Sequence, residues 1–180
     1  MMAKRVLTSG LNEVLTNLNK EVKAIEGRTL GGLISGAVIV AYDVVNGPLP
    51  AVPVDTGNLQ NSWFITASGG KGVQMGKSAK FKGDNSAKLA SDHSNVISAQ
   101  TSAVNSKRRP TVAMGFTAFY AWYVHEMVDA NFQRPKIIKK GGKLIETPRK
   151  PTAGAKFLEA SIKRCKNRIL EEIRSVAKIK

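Results

Sequence analysis

Cysteine, histidine and acidic side chains are scarce in this sequence, and each scarcity narrows what the chain does. With one cysteine, Cys165, in 180 residues, no intrachain disulfide framework can be drawn. Cys165 falls in a helical pattern, which reads as a buried small hydrophobe rather than a reactive thiol, and a cytoplasmic site of synthesis fits. The two histidines, His93 and His125, stand without a Cys cluster or an HExxH spacing, so neither a metal site nor a cofactor is expected. The glycines at 69, 70, 72 and 76 precede Lys77-Ser78, but their spacing is not that of a phosphate-cradling loop. Long apolar runs are lacking too. The longest, Leu30 to Tyr42, spans 13 residues and ends at Asp43, whereas a bilayer span needs about 20. The N-terminus has no continuous apolar signal-peptide region, so no membrane segment is expected.

The shortage of acidic residues is the most informative. Thirteen Asp and Glu face 28 Lys and Arg, a net charge of +15, which points to a polyanion or an acidic protein surface as a neighbour. The excess is not spread evenly. Residues 1–65 carry five basic and five acidic side chains, and 111–133 carry none and two. It lies instead in 66–110 (eight against two), 134–150 (seven against one) and 151–180 (eight against three).

What is present predicts an α+β domain, in which a small antiparallel sheet packs against a long N-terminal and a long C-terminal helix. A single domain over 1–180 is the expectation for this length. Apolar residues at Val6, Leu7, Leu11, Val14, Leu15, Leu18, Val22 and Ile25 keep to one helical face. The pattern resumes from Leu30 to Val45 after Gly27 and Gly31-Gly32, so 3–46 reads as two helices or one kinked helix, stopped by Gly47-Pro48. A turn and a first strand occupy 53–67. Residues 68–110, rich in Ser, Gly, Ala, Lys and Asn, have too few apolar side chains to offset their ordering entropy and read as a flexible basic insertion. Strands are expected within 111–126, although 119–125 fits a short helix equally well. A basic loop with a hairpin about Gly141-Gly142 covers 134–150, and a closing helix covers 152–178.

The stretch PVDTGNLQNSW, residues 53–63, holds an Asp-Thr-Gly that has two readings. As geometry, Pro53 fixes its own φ, Asp55 and Thr56 offer oxygens to backbone N–H groups ahead, and Gly57 takes a conformation that side chains resist. Such a turn starts a short helix, Asn58 to Asn61, with Leu59 pointing into the core. As chemistry, the triplet is the aspartic-protease signature, which needs a strand tip and a second carboxylate sharing a proton. Here Pro53 interrupts the would-be strand, and the triplet occurs once.

Three separated segments carry a resemblance. Pro53-Val54-Asp55-Thr56-Gly57-Asn58-Leu59 with Ser62, then Tyr120-Ala121-Trp122-Tyr123-Val124-His125-Glu126, then Gly154-Ala155-Lys156-Phe157-Leu158-Glu159-Ala160 lie in that order between two amphipathic helices. In this arrangement the chain resembles the tail-completion or head-to-tail joining proteins of tailed bacteriophages, also called neck or minor tail proteins. In that family a PVDTG-x-L-x-x-S turn follows the first helix, a YA-x-YVH/E segment ends a strand, and an FL-x-x-A segment opens the last helix. The chain departs from it at Met127-Val128-Asp129, where the family commonly has Gly followed by Thr.

The resemblance implies a non-catalytic virion protein, assembled in the host cytoplasm into a hexameric or dodecameric ring around or near the DNA channel. Its partners would be copies of itself and other neck and tail proteins. It also implies that Pro53, Val54, Asp55, Thr56, Gly57, Leu59 and Ser62 shape a turn, and that Tyr120, Ala121, Tyr123, Val124, Phe157 and Leu158 belong to core segments. The basic stretches supply candidate contacts to DNA phosphates or a partner: Lys77, Lys80, Lys82, Lys107, Arg108 and Arg109 in the first, and Arg134, Lys136, Lys139, Lys140 and Lys143 in the second. The other readings are a non-sequence-specific nucleic-acid-binding protein and a dimeric aspartic-protease-like enzyme using Asp55.

Overall fold

The computed structural model describes residues 3–69 and 80–178. The architecture is α+β, with a long N-terminal helix, two small antiparallel sheets and a C-terminal helix packed on the first. Helix α1 runs unbroken from Ala3 to Asn46, about 66 Å at 1.5 Å per residue. Its internal glycines do not break it; two of them seat the last helix. A Cβ on Gly32 would lie 2.9 Å from the Ile173 Cα, and one on Gly36 2.9 Å from the Ile169 Cγ2. Helix α1 stops at Gly47, whose N–H donates to the Asp43 carbonyl at 2.7 Å.

Short helix α2 (Asn58–Asn61) leads into strand β1 (Trp63–Ala67). Strand β1 pairs antiparallel with β2 (Val112–Phe116), with Ile65 opposite Met114. Four of the five residues of β1 are buried, because the two-stranded sheet is covered on both faces. Ile65 packs with Ala37 and Ala41 of α1. The opposite face is covered by an element that composition concealed.

That element is helix α3, Ser86–Asn105, and over its own length it corrects the reading of 68–110 as a flexible insertion, of which 70–79 lie outside the described residues. Leu89, Ile97 and Val104 are buried, and His93 falls on the same face, its Nδ1 2.7 Å from the Thr117 Oγ1. The helix packs on β1 and β2. Its apolar stripe is one residue wide, so mean composition hides it, while the alanines between favour helix on their own account.

After β2, helix α4 (Ala121–Glu126) replaces the second strand that 111–126 allowed for. Strands β3 (Lys136–Lys140) and β4 (Lys143–Thr147) then form the hairpin about Gly141-Gly142. Helix α5 spans Phe157–Ala177, later than the expected start at 152. Residues 151–156 instead turn against the 47–51 segment through a bridge between Ala51 and Ala153, and Lys156 takes a left-handed conformation at φ +55°. The main core joins Val40 and Val44 of α1, Leu59, Leu89, Ala121, Phe157 and Cys165. By length and composition Gly10–Asn46 meets the requirement for crossing a membrane, unlike the 13-residue run considered alone, because polar interruptions are diluted along the helix; 33% of its most apolar stretch is buried inside the fold.

Candidate functional site

The turn at 55–62 is built on backbone geometry and on one buried amide. Gly57 stands at the N-terminus of α2 with φ +85° and ψ −5°, a left-handed position where a side chain is strained. The Asn61 N–H donates to the Gly57 carbonyl at 2.9 Å, and the Asn58 N–H reaches the Thr56 Oγ1 at 3.4 Å. Ser62 is fully buried, and its Oγ donates to the Leu59 carbonyl at 2.8 Å. The Ser62 carbonyl accepts both the Thr117 N–H at 2.8 Å and the Thr117 hydroxyl at 3.1 Å, which couples the turn to the end of β2.

Asp55 does not cap the helix, contrary to the sequence expectation. Its Oδ1 accepts from the Lys136 Nζ at 2.8 Å and lies 3.7 Å from the Arg149 Nη2. The carboxylate is half exposed and ties the turn to the foot of the hairpin 81 residues away in sequence. A second carboxylate, Asp84, lines the same open cavity of about 430 Å³ beside Tyr120 and Arg149. No hydrogen bond joins Asp84 to Asp55 among the described residues.

Sequence reading missed Asn58. Its side chain clamps the backbone of Lys82, donating from Nδ2 to the carbonyl and accepting the N–H on Oδ1, both at 2.8 Å. Asn61 donates to the Lys80 carbonyl at 3.0 Å. These amides stitch 80–82 to the turn and set the start of α3. The signal was an Asn directly after the glycine of a helix start, a residue that hydrogen-bonds backbone readily.

The second and third motif segments meet on the far side of the turn. Phe157 is buried, with the Phe116 ring edge-on at 5.4 Å and the His125 ring at 4.9 Å. The Lys156 N–H donates to the His125 carbonyl at 2.8 Å, and its Nζ donates to Glu126. Glu126 also engages the His125 Nδ1 at 2.8 Å. The hydrogen bond from Lys156, and then that from His125, hold the Glu126 carboxyl below its ordinary pKa. Gly154 donates to the Ala51 carbonyl at 3.1 Å, and a Cβ on it would meet the Pro50 Cβ at 2.8 Å.

Within 120–124, Ala121 is buried while Tyr120 and Val124 pack partly buried on the core. Tyr123 is 63% exposed, which corrects its assignment to the core. In a helix Ala121 and Val124, three apart, share the inward face and Trp122-Tyr123 turn out; a strand would have alternated them. Burial, and then the Asp55 charge, raise the Tyr120 phenol above its ordinary pKa. Leu158 is partly buried beside Phe157. Cys165 is buried, and burial pushes its thiol up, in line with a packing role.

The candidate cations form two groups rather than one face. Lys80, Lys82 and Lys136 gather around the Asp55 turn, with Lys139, Lys140 and Lys143 continuing along the hairpin and Arg134 at its base. Lys107, Arg108 and Arg109 follow the far end of α3, roughly 30 Å away by its length. There they line a cavity with Lys23, Glu26 and Leu30 of α1. Of these nominated cations only Lys136 enters an ion pair among the described residues. Lys77 lies outside the described residues. Comparison with protein-family models, with curated proteins and with solved structures finds no match.

Proposed function

We propose that this chain is a structural protein of a bacteriophage virion, a tail-completion or head-to-tail joining component that assembles as a ring at the neck or the head-proximal end of the tail. The observation that carries the reading is the convergence of the three motif segments. Residues 53–62, 120–126 and 154–160 are far apart in sequence, yet Leu59, Ala121 and Phe157, one from each, share a single core, and His125 meets both the Phe157 ring and the Lys156 N–H. A shared junction of this kind is what the family-like motifs would need if they specify one scaffold rather than three unrelated turns. Asp55, Thr56 and Gly57 act in this reading as architecture, since the Asp55 carboxylate is engaged by Lys136 and Arg149.

In a ring, the exposed cations at 80–82, 107–109 and 136–143 face DNA phosphates or an acidic rim of a neighbouring neck or tail protein, contacts that neutralise charge without reading sequence. The same cations favour a second reading, a free-standing nucleic-acid-binding protein. Negative-stain electron microscopy of the purified protein, with mass spectrometry of the purified phage particle, separates the two. Rings of six or twelve copies and a stoichiometric band in the virion support the first. A strict monomer absent from particles, binding duplex DNA with steep salt dependence, supports the second and removes the first.

A further inference from the structure

Two apolar surfaces of this chain carry nothing of its own on them among the described residues, and charges of opposite sign flank them. The first is the N-terminal half of α1. Leu11, Leu15, Leu18 and Val22 are 58, 47, 57 and 44% exposed, and Ile25 extends the row. The steps of four, three, four and three are the heptad spacing of a helix seam that meets a partner. At 3.6 residues per turn, Glu21 and Glu26 lie within roughly 80° of that seam, one on each side, while Glu13, Lys20 and Lys23 lie on the opposite side. The seam is therefore aliphatic with one glutamate on each flank, Glu26 on the side where Lys107, Arg108 and Arg109 line a cavity with it.

The second surface is the β3–β4 hairpin. Every residue of both strands is exposed, including Ile137, Ile138, Leu144 and Ile145 at 58, 36, 75 and 43%. Ile138 stands opposite Ile145, and Lys140 opposite Lys143; directly opposed residues share a face, so this face is aliphatic at its centre, with Lys140 and Lys143 at the turn end and Lys136, paired with Asp55, at the other. A two-stranded hairpin is marginally stable in water unless something covers it.

We propose that the hairpin of one copy lies on the α1 seam of the next, Ile138 and Ile145 against Leu15 and Leu18, with Lys140 and Lys143 near Glu21 and Glu26. The contact joins two different surfaces, so it is head-to-tail and closes into a ring when the rotation permits. Pairing of two seams in parallel register is disfavoured, since it sets Glu21 against Glu26 of the other helix. A specific interface removes on the order of 1,000 Å² or more from water, and a closed ring repeats its contact at every copy. This inference rests on the ring reading for closure, but the pairwise contact can be measured without it.

The test uses two full-length variants. One, Leu15→Asp with Leu18→Asp, keeps its hairpin and loses its seam; the other, Ile138→Asp with Ile145→Asp, keeps its seam and loses its hairpin. By sedimentation velocity each alone is expected to be monomeric, and an equimolar mixture to form a 1:1 complex that grows no further. A hairpin-defective variant that dimerises alone overturns the proposal in favour of seam-to-seam pairing, and so does a mixture that stays monomeric.

Charge reversal provides a check that leaves the apolar residues in place. Glu21→Lys with Glu26→Lys in the seam-bearing chain is expected to weaken the 1:1 complex at least tenfold at low salt, and Lys140→Glu with Lys143→Glu in the hairpin-bearing chain to restore it. An unchanged affinity in both overturns the pairing. Rings that persist in both apolar variants sink this contact and leave the ring reading standing. A 1:1 complex from a wild type that never forms rings does the reverse.

Discussion

Two glycines five residues apart in the same helix should respond to alanine with opposite signs. Glycine inside a helix costs roughly 0.5–1 kcal/mol relative to alanine, through the extra backbone freedom lost on folding. At Gly27 no atom lies within 4 Å of an added Cβ, so Gly27→Ala should stabilise by nearly that amount. At Gly32 the added Cβ would sit 2.9 Å from the Ile173 Cα and 3.4 Å from its carbonyl oxygen. Backbone atoms cannot swing aside as a side-chain end can, so α5 must shift as a unit. Overpacking of this kind costs typically 1–3 kcal/mol, and the contact with backbone puts it at the upper end. Subtracting the helix gain leaves Gly32→Ala destabilised by about 2 kcal/mol, and the two variants apart by roughly 3 kcal/mol. Urea denaturation followed by circular dichroism at 222 nm measures this from the midpoints, provided the slope is unchanged. Equal stabilisation by both substitutions would refute the seating of α5 on Gly32, and with it the close approach of the two long helices.

Other substitutions probe the turn and the unforeseen helix. Asn58→Ala removes both hydrogen bonds to the Lys82 backbone from a buried site and should cost about 1–3 kcal/mol in chemical denaturation; a loss below 0.5 kcal/mol would mean that the clamp is dispensable. Gly57→Ala forces a side chain onto φ +85° and should cost about 1–3 kcal/mol, whereas Asp55→Ala, which breaks only a half-exposed ion pair, should stay within about 1 kcal/mol of wild type; the reverse ranking would restore Asp55 as the anchor of the turn. Leu89→Ala in α3, where the side chain is 2% exposed, should destabilise by about 2–5 kcal/mol, and a neutral result would mean that α3 does not pack on the sheet. Burial lowers the His93 pKa below 6.5, so the folded state binds its proton less readily than the unfolded one. The associated stability is full above pH 6.5 and declines as the pH falls through 6.5 toward the folded value. His93→Gln should flatten the stability profile in that range, and an unchanged slope would remove His93 as its source.

Periodicity made much of this fold legible. The spacing from Val6 to Val45 and from Phe157 to Val176 marks two helices because an apolar stripe repeating at 3.6 residues has one way to leave water. A first strand within 53–67 and a strand within 111–126 were readable from β-branched and aromatic content, and Gly141-Gly142 between short aliphatic runs marks a hairpin. Gly57 was readable as a left-handed turn residue because only local sterics are involved. Where several conformations share one local pattern, the sequence left the choice open, as at 119–125, where a strand and a short helix fit alike.

Contacts between distant segments decided the rest. Helix α3 has a stripe one residue wide, and it folds because Leu89, Ile97 and Val104 find β1 and β2 across the sheet; its own composition gives no sign of that partner. Asp55 lies beside Thr56 and Gly57 in every local account of a cap, yet Lys136 and Arg149 arrive from the hairpin and take the carboxylate instead. Gly32 reads as a helix breaker until α5 is placed against it, and then it is the point of closest approach. Local propensity acts over one turn of chain and was therefore written in the residues themselves, whereas burial and charge pairing act across space and were determined only when the chain closed on itself.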